Sequence, residues 1–173
     1  MFPKDFVWGV ASSAYQVEGT DAKDGRGKNI WDEFARSGRV YEHQTAEVCC
    51  DHMHRYREDF ALMRMLGIKN YRFSISWSRI LPEGTGKVNE KAVQMYRDMI
   101  LCMKENGIRP FITLFHWEFP YELFKKGGSL IVIKSLHRSE KFSATTFAYS
   151  PNHCTTSSFS QPPFLNSSYG NSQ

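Results

Sequence analysis

Twice in this chain a helical stretch ends on a glycine and runs straight into a β-rich segment, as "MRMLGIKNYRFSIS" around Gly67 and "CMKENGIRPFITLF" around Gly107. Before Gly67, the apolar residues Met53, Tyr56, Phe60, Met63 and Leu66 recur at three- and four-residue spacing. That period predicts an amphipathic helix over about residues 51–66, closed by a left-handed glycine cap. In "IKNYRFSISWSRI" (68–80), Tyr71, Phe73, Ile75 and Trp77 then alternate with Arg72, Ser74, Ser76 and Ser78, the period of a strand. Asn89 is a good N-cap for a second helix whose apolar face holds Val93, Tyr96, Met99, Ile100 and Met103, and "IRPFITLFHW" is a further strand.

An earlier strand is predicted in "FVWGVASSAY" (6–15), whose small residues leave room for another backbone or a ligand. A polar glycine-rich loop and a short helix, "IWDEFARSG", stopped by Gly38, follow it. The order strand, helix, strand, helix, strand predicts a parallel α/β sheet, doubly wound or a (β/α) barrel. A doubly wound nucleotide fold would want a glycine-rich phosphate turn after the first strand, and no G-x-G-x-x-G stands there. Polar residues gather instead on and just beyond the strands: Gln16 and Glu18, Arg72, then His116 and Glu118. Barrel enzymes keep their chemistry at the C-terminal ends of their strands.

Composition narrows the classes further. The formal charge of +4 is mild and its basic residues alternate with acids, as in "RYREDF", so neither nucleic acid nor a membrane is an expected partner. The N-terminus lacks the pattern of a secretory signal, and no apolar run approaches the roughly 18 residues of a membrane span. Adjacent Cys49 and Cys50, with Cys102 and Cys154 at no regular spacing, suit free thiols in the cytoplasm. "CCDHMH" (49–54) is too tightly spaced for two-plus-two zinc ligation, so no metal and no cofactor is expected.

Three blocks now carry a resemblance. "FVWGVASSAYQVEGT", "YRFSISWSRILPEGTGKVNEKAVQMY" and "ENGIRPFITLFHWEFP" resemble, in order and spacing, successive blocks of the family 1 glycoside hydrolases, the β-glucosidase and 6-phospho-β-glucosidase group. The resemblance covers residues 1–128 and implies about three of the eight strands of a TIM (β/α)8 barrel. It also implies a retaining hydrolase of β-glucosides or 6-phospho-β-glucosides in carbohydrate metabolism, with a small β-glycoside as its partner. Gln16 matches the family glutamine that binds the non-reducing sugar, and an amide can give and accept at vicinal hydroxyls. His116 matches a sugar-binding histidine, and Trp117 shapes the same pocket. Arg72 matches the arginine that pairs with the nucleophile; flanked by outward-facing Tyr71 and Phe73, it points inward, where a cation requires an anion. Glu118 is expected to be structural.

Retaining glycosidases use two carboxylates about 5 Å apart. In the resembled family these lie in N-E-P and T-E-N-G motifs after later strands, and this chain has no N-E-P. Its one "ENG", Glu105 to Gly107, reads as a helix end, so no catalytic residue is assigned and Arg72 is a supporting one. After Gly128 the composition changes: of 45 residues 15 are Ser or Thr and one, Glu140, is acidic, against 17 acids before. Residues 129–173 are therefore expected to be a disordered tail, out of frame or from an alternative exon, and the 173-residue chain inert and poorly stable. The alternative is a non-catalytic glycan-binding protein that keeps part of the sugar subsite.

Overall fold

The computed structural model describes residues 2–20 and 22–127; the expectations for residues 129–173, Cys154 among them, lie outside the described residues. The elements are β1 (Val10–Ala11), α1 (Ala14–Val17), α2 (Ile30–Arg36), α3 (His52–Met65), β2 (Asn70–Ser74), α4 (Trp77–Ile80), α5 (Glu90–Glu105), β3 (Arg109–Thr113) and α6 (Tyr121–Lys125). Single 3₁₀ turns at Ala22–Asp24 and Tyr41–His43 punctuate the long connection before α3.

The strands form one parallel sheet in the order β1-β2-β3. Ala11 pairs with Arg72 and Arg72 with Phe111, so these three share one face; Val10, Tyr71 and Pro110 share the other. On the second face α3 buries Met53, Tyr56 and Phe60, and α5 buries Ala92, Val93, Tyr96, Met99, Ile100 and Met103. These side chains form one core with Tyr71, Phe73 and Ile112. Both long helices thus cover the same side of the sheet, as successive right-handed crossovers require. Phe60 and Met103, fully buried at its centre, contribute roughly 1.5–3 kcal/mol each by leaving water.

The helix boundaries follow the predicted signals. Asn89 accepts a hydrogen bond from the Ala92 backbone N–H, and Gly67 and Gly107 adopt φ of 74° and 70° beyond the two helix ends. Glu105 closes α5 and Asn106 is its C-cap, so the "ENG" tripeptide is a helix terminus.

Three expectations need correction. The alternating run 68–80 is a strand only over Asn70–Ser74; Trp77–Ile80 is a helical turn. The ladder to β3 ends at Ser74–Thr113, Tyr96 Oη accepts the Ser76 N–H, and Ser74, Ser76, Ser78 and Arg79 are all buried, so two-sided burial replaces in/out alternation. The first strand shrinks to Val10–Ala11, and Gln16 sits on the short helix α1. Leu66, expected on the apolar face of α3, is its exposed C-cap, just beyond the last helical residue Met65.

Candidate functional site

The C-terminal ends of the strands carry the expected residues. Gln16 lies five residues beyond β1, Arg72 within β2, and His116 and Trp117 just beyond β3. Hydrogen-bonded strands lie about 4.8 Å apart, so parallel order alone brings these ends to one side of the molecule.

Arg72 occupies the sheet face opposite the helices and is half-buried. Its Nε donates to Thr113 Oγ1 at 2.9 Å, and among the described residues no carboxylate lies within ion-pair distance of it. Its charge is felt by His116, whose pKa is lowered from the ordinary 6.5, first by burial and then by Arg72. The imidazole is therefore neutral at pH 7, with Nδ1 buried and without a hydrogen-bond partner among the described residues. A neutral ring beside a cation is suited to exchanging hydrogen bonds with hydroxyls.

Gln16 is exposed; Ser13 Oγ donates to its Oε1 at 2.8 Å. Its neighbour Tyr15 is joined to the β3 end through Trp31. The Tyr15 and Trp31 rings are 6.4 Å apart, and Trp31 Nε1 donates to the Trp117 carbonyl at 3.0 Å. Trp117 has a left-handed backbone, φ 68°, and is 42% exposed. A non-glycine residue there costs on the order of 1–3 kcal/mol and persists only where the surroundings fix it. Tyr15, Trp31 and the Trp117 backbone are thereby linked at the strand ends near which Gln16 and His116 also lie.

Beneath this surface lies a buried polar layer. Arg79, from α4, donates from Nε to Glu18 Oε2 at 3.1 Å and from Nη2 to the Gly19 carbonyl at 2.8 Å, and its Nη1 pairs with Asp24. Tyr96 Oη donates to Glu18 Oε1 at 2.9 Å. Burial works against the Arg79 charge, but Glu18, Tyr96 and Asp24 outweigh it and hold it ionised. Glu118 is buried with no side-chain hydrogen-bond partner among the described residues; burial and then the nearby Glu18 raise its pKa to about 8. Arg26 pairs with Asp32 at 2.8 Å, and Asn29, pairing with Pro120, carries the 22–36 segment across to the β3 end.

Of the residues expected at one end of the sheet, Gln16 lies on α1 after β1, His116 and Trp117 lie beyond β3, and Arg72 lies in the middle of β2. Arg79, Arg26 and Trp31 were missed. Reading "SWSRI" as alternating strand gave Arg79 no special place; the available signal was an arginine inside a run with few solvent-facing positions. "CCDHMH" is spent on local pairs, His52 Nδ1 to Asp59 Oδ2 and His54 Nδ1 to Asp51 Oδ1, each at 2.6 Å.

Comparison with known proteins supplies the wider frame. The profile of glycosyl hydrolase family 1 matches residues 1–157. Beta-glucosidase A of Acetivibrio thermocellus is 53% identical over 128 residues, covering 73% of this chain and 29% of that protein. Beta-glucosidase 44 of Arabidopsis thaliana is 47% identical over 150 residues, 84% of this chain and 29% of that protein. The solved structure of beta-glucosidase from Thermotoga maritima in complex with deoxynojirimycin superposes with a TM-score of 0.82 at 42% identity, covering 88% of this chain and 35% of that one. The chain thus spans about three tenths of the length of its relatives, 29% in the first two cases.

Proposed function

The chain belongs to glycosyl hydrolase family 1, as part of a TIM-barrel fold, and from that premise we propose that it supplies the first three strands of a retaining β-glucosidase, with Gln16 and His116 facing the sugar and Trp117 shaping the pocket. The carrying observation is Arg72. A guanidinium on the inner sheet face, tied among the described residues by Nε to Thr113 and adding to the burial that lowers the pKa of His116, is arranged to receive a carboxylate. In a retaining mechanism that carboxylate is the nucleophile, which a neighbouring cation keeps ionised. The names of the relatives, beta-glucosidases among them, favour an unphosphorylated glucoside over a 6-phosphorylated one. A cytoplasmic setting belongs to the same reading, supported by the free thiols of Cys49, Cys50 and Cys102.

The carboxyls beside the site, Glu18 and Glu118, are 5% and 2% exposed, and Glu18 is bound by Arg79 and Tyr96. Neither can reach a glycosidic oxygen in a solvent-fed pocket. The 173-residue polypeptide, assayed alone with an aryl β-glucoside, is therefore expected to show no turnover. Turnover abolished by a glutamate substitution within the chain would place a catalytic pair inside it and overturn this reading. The glycan-binding alternative is favoured if the folded chain holds a sugar with an affinity that Gln16→Ala or His116→Ala abolishes, and residues 1–127 grafted into a whole beta-glucosidase confer no hydrolysis.

A further inference from the structure

We propose that Glu118 is a positioning residue for the sugar subsite: its buried side chain fixes the turn after β3 so that His116 faces Arg72 while Trp117 is turned to solvent. This rests on the reading of His116 as sugar-facing.

Three observations converge on it. Glu118 is 2% exposed, both of its carboxyl oxygens are buried without a side-chain hydrogen-bond partner among the described residues, and the hydrogen-bonding influence on it comes from the Tyr15 backbone alone among them. Such a group does not stabilise a core as well as an apolar side chain of the same volume would. Its immediate neighbours reverse direction within three residues: His116 is half-buried, Trp117 is exposed in the left-handed region, and Phe119 is buried against Trp77 with ring centroids 5.9 Å apart. The strained Trp117 conformation is thus held between the Trp31 bond to its carbonyl and the anchors at 118 and 119.

Every element packed around the carboxyl presents a charge or a titratable group. Glu18 and the Tyr15 backbone come from the β1 end, Arg26 from the following loop, Arg79 from α4 and Tyr96 from α5. The two arginines already serve Asp32 and Glu18. With its proton, Glu118 is a neutral peg compatible with Glu18. Without it, two carboxylates share a buried space, and the turn carrying His116 and Trp117 is what can give way. Glu118 touches no substrate in this arrangement; it acts through His116 and Trp117.

The test uses the 173-residue chain, isotopically labelled, and follows the His116 imidazole by NMR titration. Wild type is expected to titrate below the ordinary imidazole value of 6.5, Glu118→Gln to match it, and Glu118→Ala to move back toward 6.5. In parallel, tryptophan emission of wild type is expected to change as pH rises through about 8, and that of Glu118→Gln to stay flat. Deoxynojirimycin affinity should fall about tenfold in Glu118→Ala and persist in Glu118→Gln. A folded Glu118→Ala chain with an unmoved His116 titration would overturn the proposal. Should that variant not fold, identical emission profiles of wild type and Glu118→Gln across pH 8 would overturn it equally. If wild type binds no deoxynojirimycin, the sugar reading fails by itself, and the His116 titration still decides the role of Glu118.

Discussion

Replacing Glu118 by Gln keeps shape and hydrogen-bonding capacity but removes the titration, and the structure fixes what that should do to stability. The folded carboxyl titrates at about 8 against an ordinary 4.5, because it is buried and beside Glu18. A folded pKa above the unfolded one means that the folded state holds the proton longer. Its stabilising contribution is complete below about 4.5 and is lost as pH rises toward about 8. At 1.36 kcal/mol per pKa unit, the wild-type chain should lose about 1 kcal/mol relative to Glu118→Gln by pH 5, about 3 by pH 7 and about 5 by pH 9. Urea unfolding of both chains at those three pH values measures the gap. Parallel stability profiles from pH 5 to 9 would refute the reasoning, since Glu118 would then be ionising alike in the folded and unfolded chain.

Other positions give independent expectations. Arg79→Ala leaves Glu18 buried without its cation and should cost about 3–5 kcal/mol in denaturant unfolding, part of which the added substitution Glu18→Gln restores. Gly27→Ala should lower stability by about 1–3 kcal/mol in thermal unfolding, because a Cβ there would stand 2.0 Å from the Pro82 carbonyl oxygen, a backbone atom with little freedom to move. Sugar affinity should hold from pH 7 to below the ordinary imidazole value of 6.5 and then fall as His116 gains a proton beside Arg72; titration calorimetry across that range should show the drop in wild type and none in His116→Gln.

Much of this architecture was legible because it rests on local chemistry. Gly67 and Gly107 adopt the left-handed conformation their helix ends demand, Asn89 caps α5, and the parity of Tyr71, Arg72 and Phe73 sends the arginine to the face opposite the helices. What sequence alone obscured arises from tertiary partners. Nothing local announces that Ser76 leaves the ladder to meet the Tyr96 hydroxyl, or that Arg79 joins Glu18 and Asp24, 61 and 55 residues away in the chain. Glu118 was expected to be structural; its full burial and its neighbour Glu18 emerge only once the β1 and β3 ends are side by side. The family profile also continues past Gly128 to residue 157, where composition alone had suggested a break.

If, as proposed, these residues are the first part of a β-glucosidase, Arg72 meets its nucleophile on a later strand. The most direct measurement replaces the matching segment of the Thermotoga maritima beta-glucosidase, 49% identical over 128 residues, with residues 1–127 of this chain and assays an aryl β-glucoside. The account predicts an active chimera whose kcat/KM falls by at least about a hundredfold with Arg72→Met and by a smaller factor with Gln16→Ala. A folded chimera without activity, or one indifferent to Arg72→Met, would contradict it.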